Sequence, residues 1–150
     1  MTIADFITAN GANIEIIGGD YAFSQWDNVN KQWIPYATAS QEGSFTAGQG
    51  YSMATITGAT QAYTGPIVTT TQSVSILNAG GNGAYRRWNL VSNPFPSYIS
   101  GNDAAGTSNF MGVNTAVIDS EYLAVYGWNG TDYTIYNNST GAFSMAPGHA

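Results

Sequence analysis

Cysteine is absent from the chain, which excludes a disulfide framework, a thiol nucleophile and any metal site built on thiolates. Charge is scarce too. Only 8% of the 150 residues are Asp, Glu, Lys or Arg, against roughly a quarter in an ordinary soluble domain. Lys31, Arg86 and Arg87 face nine acidic residues, for a formal net charge of −6. No cluster of cations is present to neutralise a run of phosphates, so nucleic acid is not an expected partner. The single histidine, His149, stands beside the last residue. Chain ends fray, so a Ser-His-Asp triad or a histidine metal centre has no firm scaffold there. No apolar run approaches the ~18 residues of a membrane span. The opening Met1-Thr2-Ile3-Ala4-Asp5-Phe6-Ile7 carries neither the positive nor the apolar region of an export signal.

What is present suits short strands and turns: 18 glycines, 10 tyrosines and abundant threonine, serine and asparagine. Few windows show the 3.6-residue period of an amphipathic helix, whereas many stretches are β-branched or aromatic and bounded by turn residues. The expected strands are 13–17, 21–26, 32–36, 51–57, 67–77, 85–92, 122–128, 132–136 and 142–145. Turns are expected at Gly18-Gly19-Asp20, Asp27-Asn28, Gly48-Gln49-Gly50, Gly80-Gly81-Asn82-Gly83 and Asn129-Gly130. Asn129-Gly130 is the strongest hairpin signal, since a type I′ turn needs two residues tolerant of positive φ. Val68, Thr70, Gln72, Val74 and Ile76 alternate onto one face of 67–77, whose second half reads as a half-buried antiparallel strand. The stretch from Asn93-Pro94-Phe95-Pro96 to Asn114 has no clear period; it reads as a loop with a fixed proline turn, with a cis proline as one option and one helical turn at 97–100.

An internal repeat emerges when the aromatic hairpins are aligned. The first copy runs Tyr21, Phe23, Trp26-Asp27, Trp33, Tyr36, Gly43, Phe45 and Ala47-Gly48. The second runs Tyr122, Tyr126, Trp128-Asn129, Tyr133, Tyr136, Gly141, Phe143 and Pro147-Gly148. The expected fold is therefore all-β, an antiparallel β-sandwich of jelly-roll or Ig-like type built from two related repeats. Their spans are 1–84 and 85–150, or together one joint sandwich over 1–150. Arg87 to Pro94 reads as the leading strand of the second copy, with no counterpart before the first, and the strand 50–56 that follows the first has none after the second. This pattern suggests an excerpt of a longer protein, or strands shared between halves, with open edges that neighbouring modules or copies of the same protein could complete.

The segment Trp88-Asn89-Leu90-Val91-Ser92-Asn93-Pro94-Phe95-Pro96-Ser97, followed by Val125-Tyr126-Gly127-Trp128-Asn129-Gly130, Tyr133 to Tyr136 and Ala146-Pro147-Gly148, resembles a recurrent module of large secreted Bacteroidota proteins. That module is the β-rich region found shortly before the C-terminal sorting domain of type IX secretion. The resemblance covers roughly 85–150; the first half fits more loosely through Trp26, Trp33 to Tyr36 and Phe45 to Gly50. It implies a secreted or cell-surface location and a structural or adhesive role, and carries over no catalytic residue. In that module an aromatic strand follows the Pro-Gly element, whereas here the sequence stops first.

The carboxylates that could carry chemistry mostly stand at turns. Asp20, Asp27 and Asp132 read as residues that satisfy their own backbone in Asx turns. Asp119 and Glu121, two apart, would share a strand face; this suits a solvated face or, less readily, Ca²⁺. Asp27-Asn28-Val29-Asn30 has a trace of calcium-loop spacing without its glycine or terminal glutamate. No cofactor is otherwise expected, calcium being the one candidate, and nothing suggests an enzyme. The aromatics are the stronger lead. Tyr122, Tyr126 and Trp128 alternate onto one strand face opposite Leu123 and Val125, the natural core positions. Such rings could stack on sugars, making surface glycans a candidate partner, or pack against a neighbouring module. Trp26 is the matching candidate in the first copy, where Ala22 and Ser24 share its face.

Overall fold

A computed structural model of the chain describes residues 1–78, 87–102 and 108–148. The expected Gly80-Gly83 turn, the start of the strand at Tyr85 and Arg86, and Asp103 and His149 lie outside the described residues. Most regular structure is strand in antiparallel sheets, with few helices, so the fold is all-β. Two compact units are present, Met1–Ser92 and Asn93–His149.

Unit 1 opens with a helix that the β reading passes over, α1 (Ile3–Asn10). Its start is encoded locally. The Thr2 hydroxyl accepts the Asp5 amide at 3.0 Å and the Asp5 carboxylate accepts the Thr2 amide at 3.3 Å, a reciprocal capping box. Ile3, Phe6, Ile7 and Asn10 then recur at helical spacing and are the buried residues of α1. With Ile14 and Phe23 the three apolar ones form the core, against which Tyr21, Tyr36, Phe45, Tyr51 and Met53 pack. Phe6 is its hub: its ring lies 5.4 Å from Phe23, meets Phe45 edge-on at 5.2 Å and stacks on Tyr63 at 5.1 Å. Each such fully buried side chain contributes about 1.5–3 kcal/mol.

The sheet of unit 1 is organised around β2 (Asp20–Asp27). One edge of β2 pairs with β1 (Ile16–Ile17) and, farther along, β4 (Ser52–Met53); the other pairs with β3 (Gln32–Ala37). Pro35, which has no amide hydrogen to give, sits on β3 at the sheet edge. The first residues are tied in as well: Ile3 donates to the Gly43 carbonyl and Phe45 to that of Met1.

The expected strand at 67–77 does not form. Ile67 is 70% exposed, and this stretch contains no strand. Strand propensity yields a strand only when another backbone supplies a ladder, and here the end of the stretch is held by a side chain instead. Asn89 accepts from the Leu77 amide at 2.9 Å and donates to the Leu77 carbonyl at 3.0 Å. Leu90–Ser92, expected to lead the second repeat, bonds within unit 1: Gly50 donates to Leu90 at 3.0 Å and Ser92 to Gly48 at 2.8 Å.

Unit 2 contains two strand pairs. In the first, β5 (Ile99–Asn102) lies against β8 (Phe143–Met145), with a register shift between Ser100 and Asn102. Gly101 stands at the shift, and a Cβ there would lie 2.1 Å from the Phe143 ring. In the second, β6 (Val125–Trp128) pairs with β7 (Tyr133–Tyr136). The helical turn expected at 97–100 is replaced by β5, and the helix falls at α2 (Phe110–Asn114), where Asn109 caps the Gly112 amide at 2.8 Å. The proline turn is fixed as expected but contains no cis peptide bond. Asn93 holds it, accepting from Phe95 at 2.9 Å and donating to the carbonyls of Ser97 and Met145 at 2.8 and 2.9 Å. Within the chain, β8 is paired along one edge with β5, and Met1–Ile3 lies against Gly43–Phe45.

Among the described residues the buried polar side chains are Asn10, Asn28, Asn93, Asn102 and Asn109, all asparagine. A primary amide carries both donor and acceptor. It can thus stand in for a missing backbone neighbour, and this allows irregular segments to be buried without orphaned peptide groups.

Candidate functional site

The β6–β7 hairpin places the aromatic residues. In antiparallel register Tyr126 faces Ile135 and Trp128 faces Tyr133, whereas Val125 faces Tyr136 and Gly127 faces Thr134. Directly opposed residues share a sheet face, so Tyr126, Trp128, Tyr133 and Ile135 line one face and Val125, Gly127, Thr134 and Tyr136 the other. The second face turns inward. Tyr136 stacks on Phe143 with centroids 4.6 Å apart and lies over Gly127, where a Cβ would come within 3.2 Å of its ring. The first face is open: Trp128 is 51% exposed, Tyr133 53% and Ile135 47%. Trp128 and Tyr133 meet edge to face at 5.1 Å, an arrangement worth about 0.5–1.5 kcal/mol beyond burial.

This geometry keeps Tyr126 and Trp128 together and removes Tyr122 from their face. Tyr122 ends a 3₁₀ turn (Ser120–Tyr122) ahead of the strand and is exposed on its own. Leu123 and Val125, the expected core positions, are half-buried. Tyr133 and Ile135, which no residue-type argument selected, complete the face; once the hairpin is drawn, their places follow from cross-strand register alone.

In the first hairpin Trp26 faces Trp33, and the two rings meet edge-on at 5.3 Å and 65°, against 64° for Trp128 and Tyr133. Trp26 is half-buried, and its indole N–H donates to the Trp88 carbonyl at 3.0 Å. It is therefore less available than Trp128 for an external ligand. Phe23 and Tyr21 turn to the core.

The hairpin loops are closed by the same device. Asp27 Oδ1 accepts the amides of Val29 and Asn30 at 2.9 and 3.1 Å; Asn129 Oδ1 accepts those of Thr131 and Asp132, both at 2.9 Å. In the second loop the Asx role thus belongs to Asn129, while the Asp132 carboxylate accepts the adjacent Tyr133 amide at 2.8 Å. The tight type I′ turn expected at Asn129-Gly130 is a longer loop in which Gly130, but not Asn129, has positive φ. Hydrogen bonds from the Asn30 side chain and amide, then from Val29, hold the Asp27 carboxyl below its ordinary pKa of 3.8.

Of the calcium candidates, Asp27 directs Oδ1 to its own loop and Oδ2 to the Asn30 side chain at 2.7 Å. Asp119 and Glu121 do not lie on a strand. Asp119 precedes the 3₁₀ turn and caps the Glu121 amide at 3.0 Å. Among the described residues no three His, Asp or Glu side chains gather as a metal cluster would, and no helix is long and apolar enough to cross a membrane. Comparison with protein-family models, with curated proteins and with solved structures finds no match.

Proposed function

We propose that this chain is a non-enzymatic structural or adhesive β-module of a secreted or cell-surface bacterial protein, which assembles with neighbouring modules or copies of itself. The observation that carries this reading is the open face of β6–β7, where Trp128, Tyr133 and Ile135 are each about half exposed. Apolar surface gathered in one place on a chain with so few charges is surface that a partner would cover. The location rests on the resemblance of 85–150 to modules of secreted Bacteroidota proteins. The architecture we favour is a β-sandwich of two related repeats. The paired edge-on aromatics, the matching Asp27 and Asn129 loops, and the positive φ of both Gly43 and Gly141, 85° and 83°, support the repeat. The test is light scattering during size exclusion over a range of concentrations. Self-association that is weakened in Trp128→Ala and Tyr133→Ala supports the proposal; a monomer at every concentration, with no binding to adjoining modules of its parent protein, sinks it.

A second reading has its own support, because a Trp-Tyr pair held rigidly by strand register also suits stacking on a sugar ring. A glycan array with Trp128→Ala as control separates the two readings, since stacking loss would abolish glycan retention and leave the fold intact.

A further inference from the structure

Unit 1 contains a shallow, open cleft. It has a volume of about 540 Å³ and is lined by Gln25, Tyr36, Glu42, Thr46, Gln49 and Tyr51 among others. That volume falls in the range of small-molecule sites, about 300–1,000 Å³. Its chemistry is selective. Glu42 is the one carboxylate of the lining, and no Lys or Arg is among the described lining residues, so anionic ligands gain nothing there. The remaining polar groups are neutral amides and hydroxyls, which both donate and accept. The Gln49 amide reaches Gln25 Oε1 only at 3.5 Å. Among the described residues the Gln25 amide nitrogen, the Tyr36 hydroxyl and the Glu42 carboxylate make no hydrogen bond, so a ligand can use them.

Two tyrosines of the cleft are packed in place. Tyr36 stacks on Phe23 at 4.9 Å and Tyr51 packs against it at 5.6 Å, while the Tyr51 hydroxyl accepts the Thr46 amide at 3.3 Å. Groups fixed before binding lose little entropy when a ligand arrives. Burial, and after it the neighbouring Tyr51, push the Tyr36 hydroxyl above its ordinary value; it stays protonated and can donate.

We propose that this cleft binds one ring of a neutral saccharide, with the Gln25 and Gln49 amides and the Glu42 carboxylate bonding to ring hydroxyls and the tyrosine hydroxyls completing the set. Adjacent hydroxyls of a sugar present paired donors and acceptors that amides and carboxylates match. A flat apolar ligand would leave these groups unpaired, at a cost.

The experiment is two-dimensional NMR titration of the full chain with glucose, galactose, mannose, xylose and N-acetylglucosamine, and with glucuronate as the anionic counterpart. Shifts localised to the amides of 25, 36, 42–46 and 49–51 are expected for at least one neutral sugar, with glucuronate about tenfold weaker. Gln49→Ala and Tyr36→Phe should each weaken binding about tenfold. Tyr36→Phe keeps the ring on Phe23, so its loss cannot be ascribed to unfolding. Trp128→Ala should change nothing. Absence of cleft shifts for every neutral sugar overturns the proposal, as does binding abolished by Trp128→Ala but untouched by Gln49→Ala. Neither result bears on self-association through β6–β7, which is read by light scattering.

Discussion

The side-chain amide of Asn10 and the backbone of Ala62 close a two-way pair: Asn10 Nδ2 donates to the Ala62 carbonyl at 2.8 Å, and the Ala62 amide donates to Asn10 Oδ1 at 2.6 Å. Asn10 is 1% exposed, and its amide also donates to the Phe6 carbonyl at 3.0 Å. One helix residue therefore gives a strand-like neighbour to a segment that has no strand, and the next residue, Tyr63, stacks on Phe6.

Asn10→Leu keeps the fork at Cγ, with somewhat more bulk, and removes every one of these bonds. The expected cost is about 1–3 kcal/mol, the cost of orphaning buried peptide groups. Native-state hydrogen exchange should show the Ala62 amide losing protection more than the β2–β3 ladder. Equal loss throughout would mean that Asn10 supports the whole unit and is no local clip.

Gly101→Ala tests the β5–β8 contact. With a Cβ 2.1 Å from the Phe143 ring, either Phe143 or the bulge must move, at about 1–3 kcal/mol for overpacking. Gly127→Ala, with its nearest ring atom at 3.2 Å, should cost less. Denaturant unfolding monitored by tyrosine and tryptophan fluorescence ranks the two, and a neutral Gly101→Ala would contradict the packing described here.

Acid should separate the hairpins. The folded-state pKa of Asp27 is depressed below 3.8, so its contribution is complete above the unfolded value and is lost as pH falls through the folded one. Below about pH 4 the amides of Val29 and Asn30 should shift and lose protection from exchange, while those of Thr131 and Asp132, held by the non-titrating Asn129, should not. Asp5, lowered chiefly by the Thr2 side chain and also by the Thr2 amide, should release the cap of α1 over the same range. Asp27→Asn should remove the pH response of the first loop and keep its shape.

The edge-on pair on the open face can be measured by a double-mutant cycle of Trp128→Ala and Tyr133→Ala. Coupling of about 0.5–1.5 kcal/mol is expected, with modest destabilisation from each single variant because both rings are already half in water. Coupling near zero would show that the pair is not held in solution, and the rigid stacking surface would go with it.

Four of the nine expected strands were legible beforehand to within a residue. Asp20–Asp27, Gln32–Ala37, Tyr133–Tyr136 and Phe143–Met145 lie within a residue of where alternation and turn residues placed them, because hairpin strands are specified by neighbours close in sequence. Helix α1 was legible too, through Thr2, Asp5 and the spacing of Ile3, Phe6 and Ile7, but it was outweighed by the β character of the rest. At the candidate face, Tyr126 and Trp128 could be read from alternation, whereas the departure of Tyr122 into a 3₁₀ turn could not.

By itself, the sequence determined composition, charge, hairpin positions and the aromatic character of two faces, all of which depend on local pattern. Tertiary structure alone decided that 67–77 has no ladder, that Tyr133 and Ile135 complete an open face, that Gly101 must make room for Phe143, and that asparagine amides take the place of missing strands. Each of these depends on a partner far away in the chain, and a residue's own propensity carries no information about which backbone will come to lie beside it.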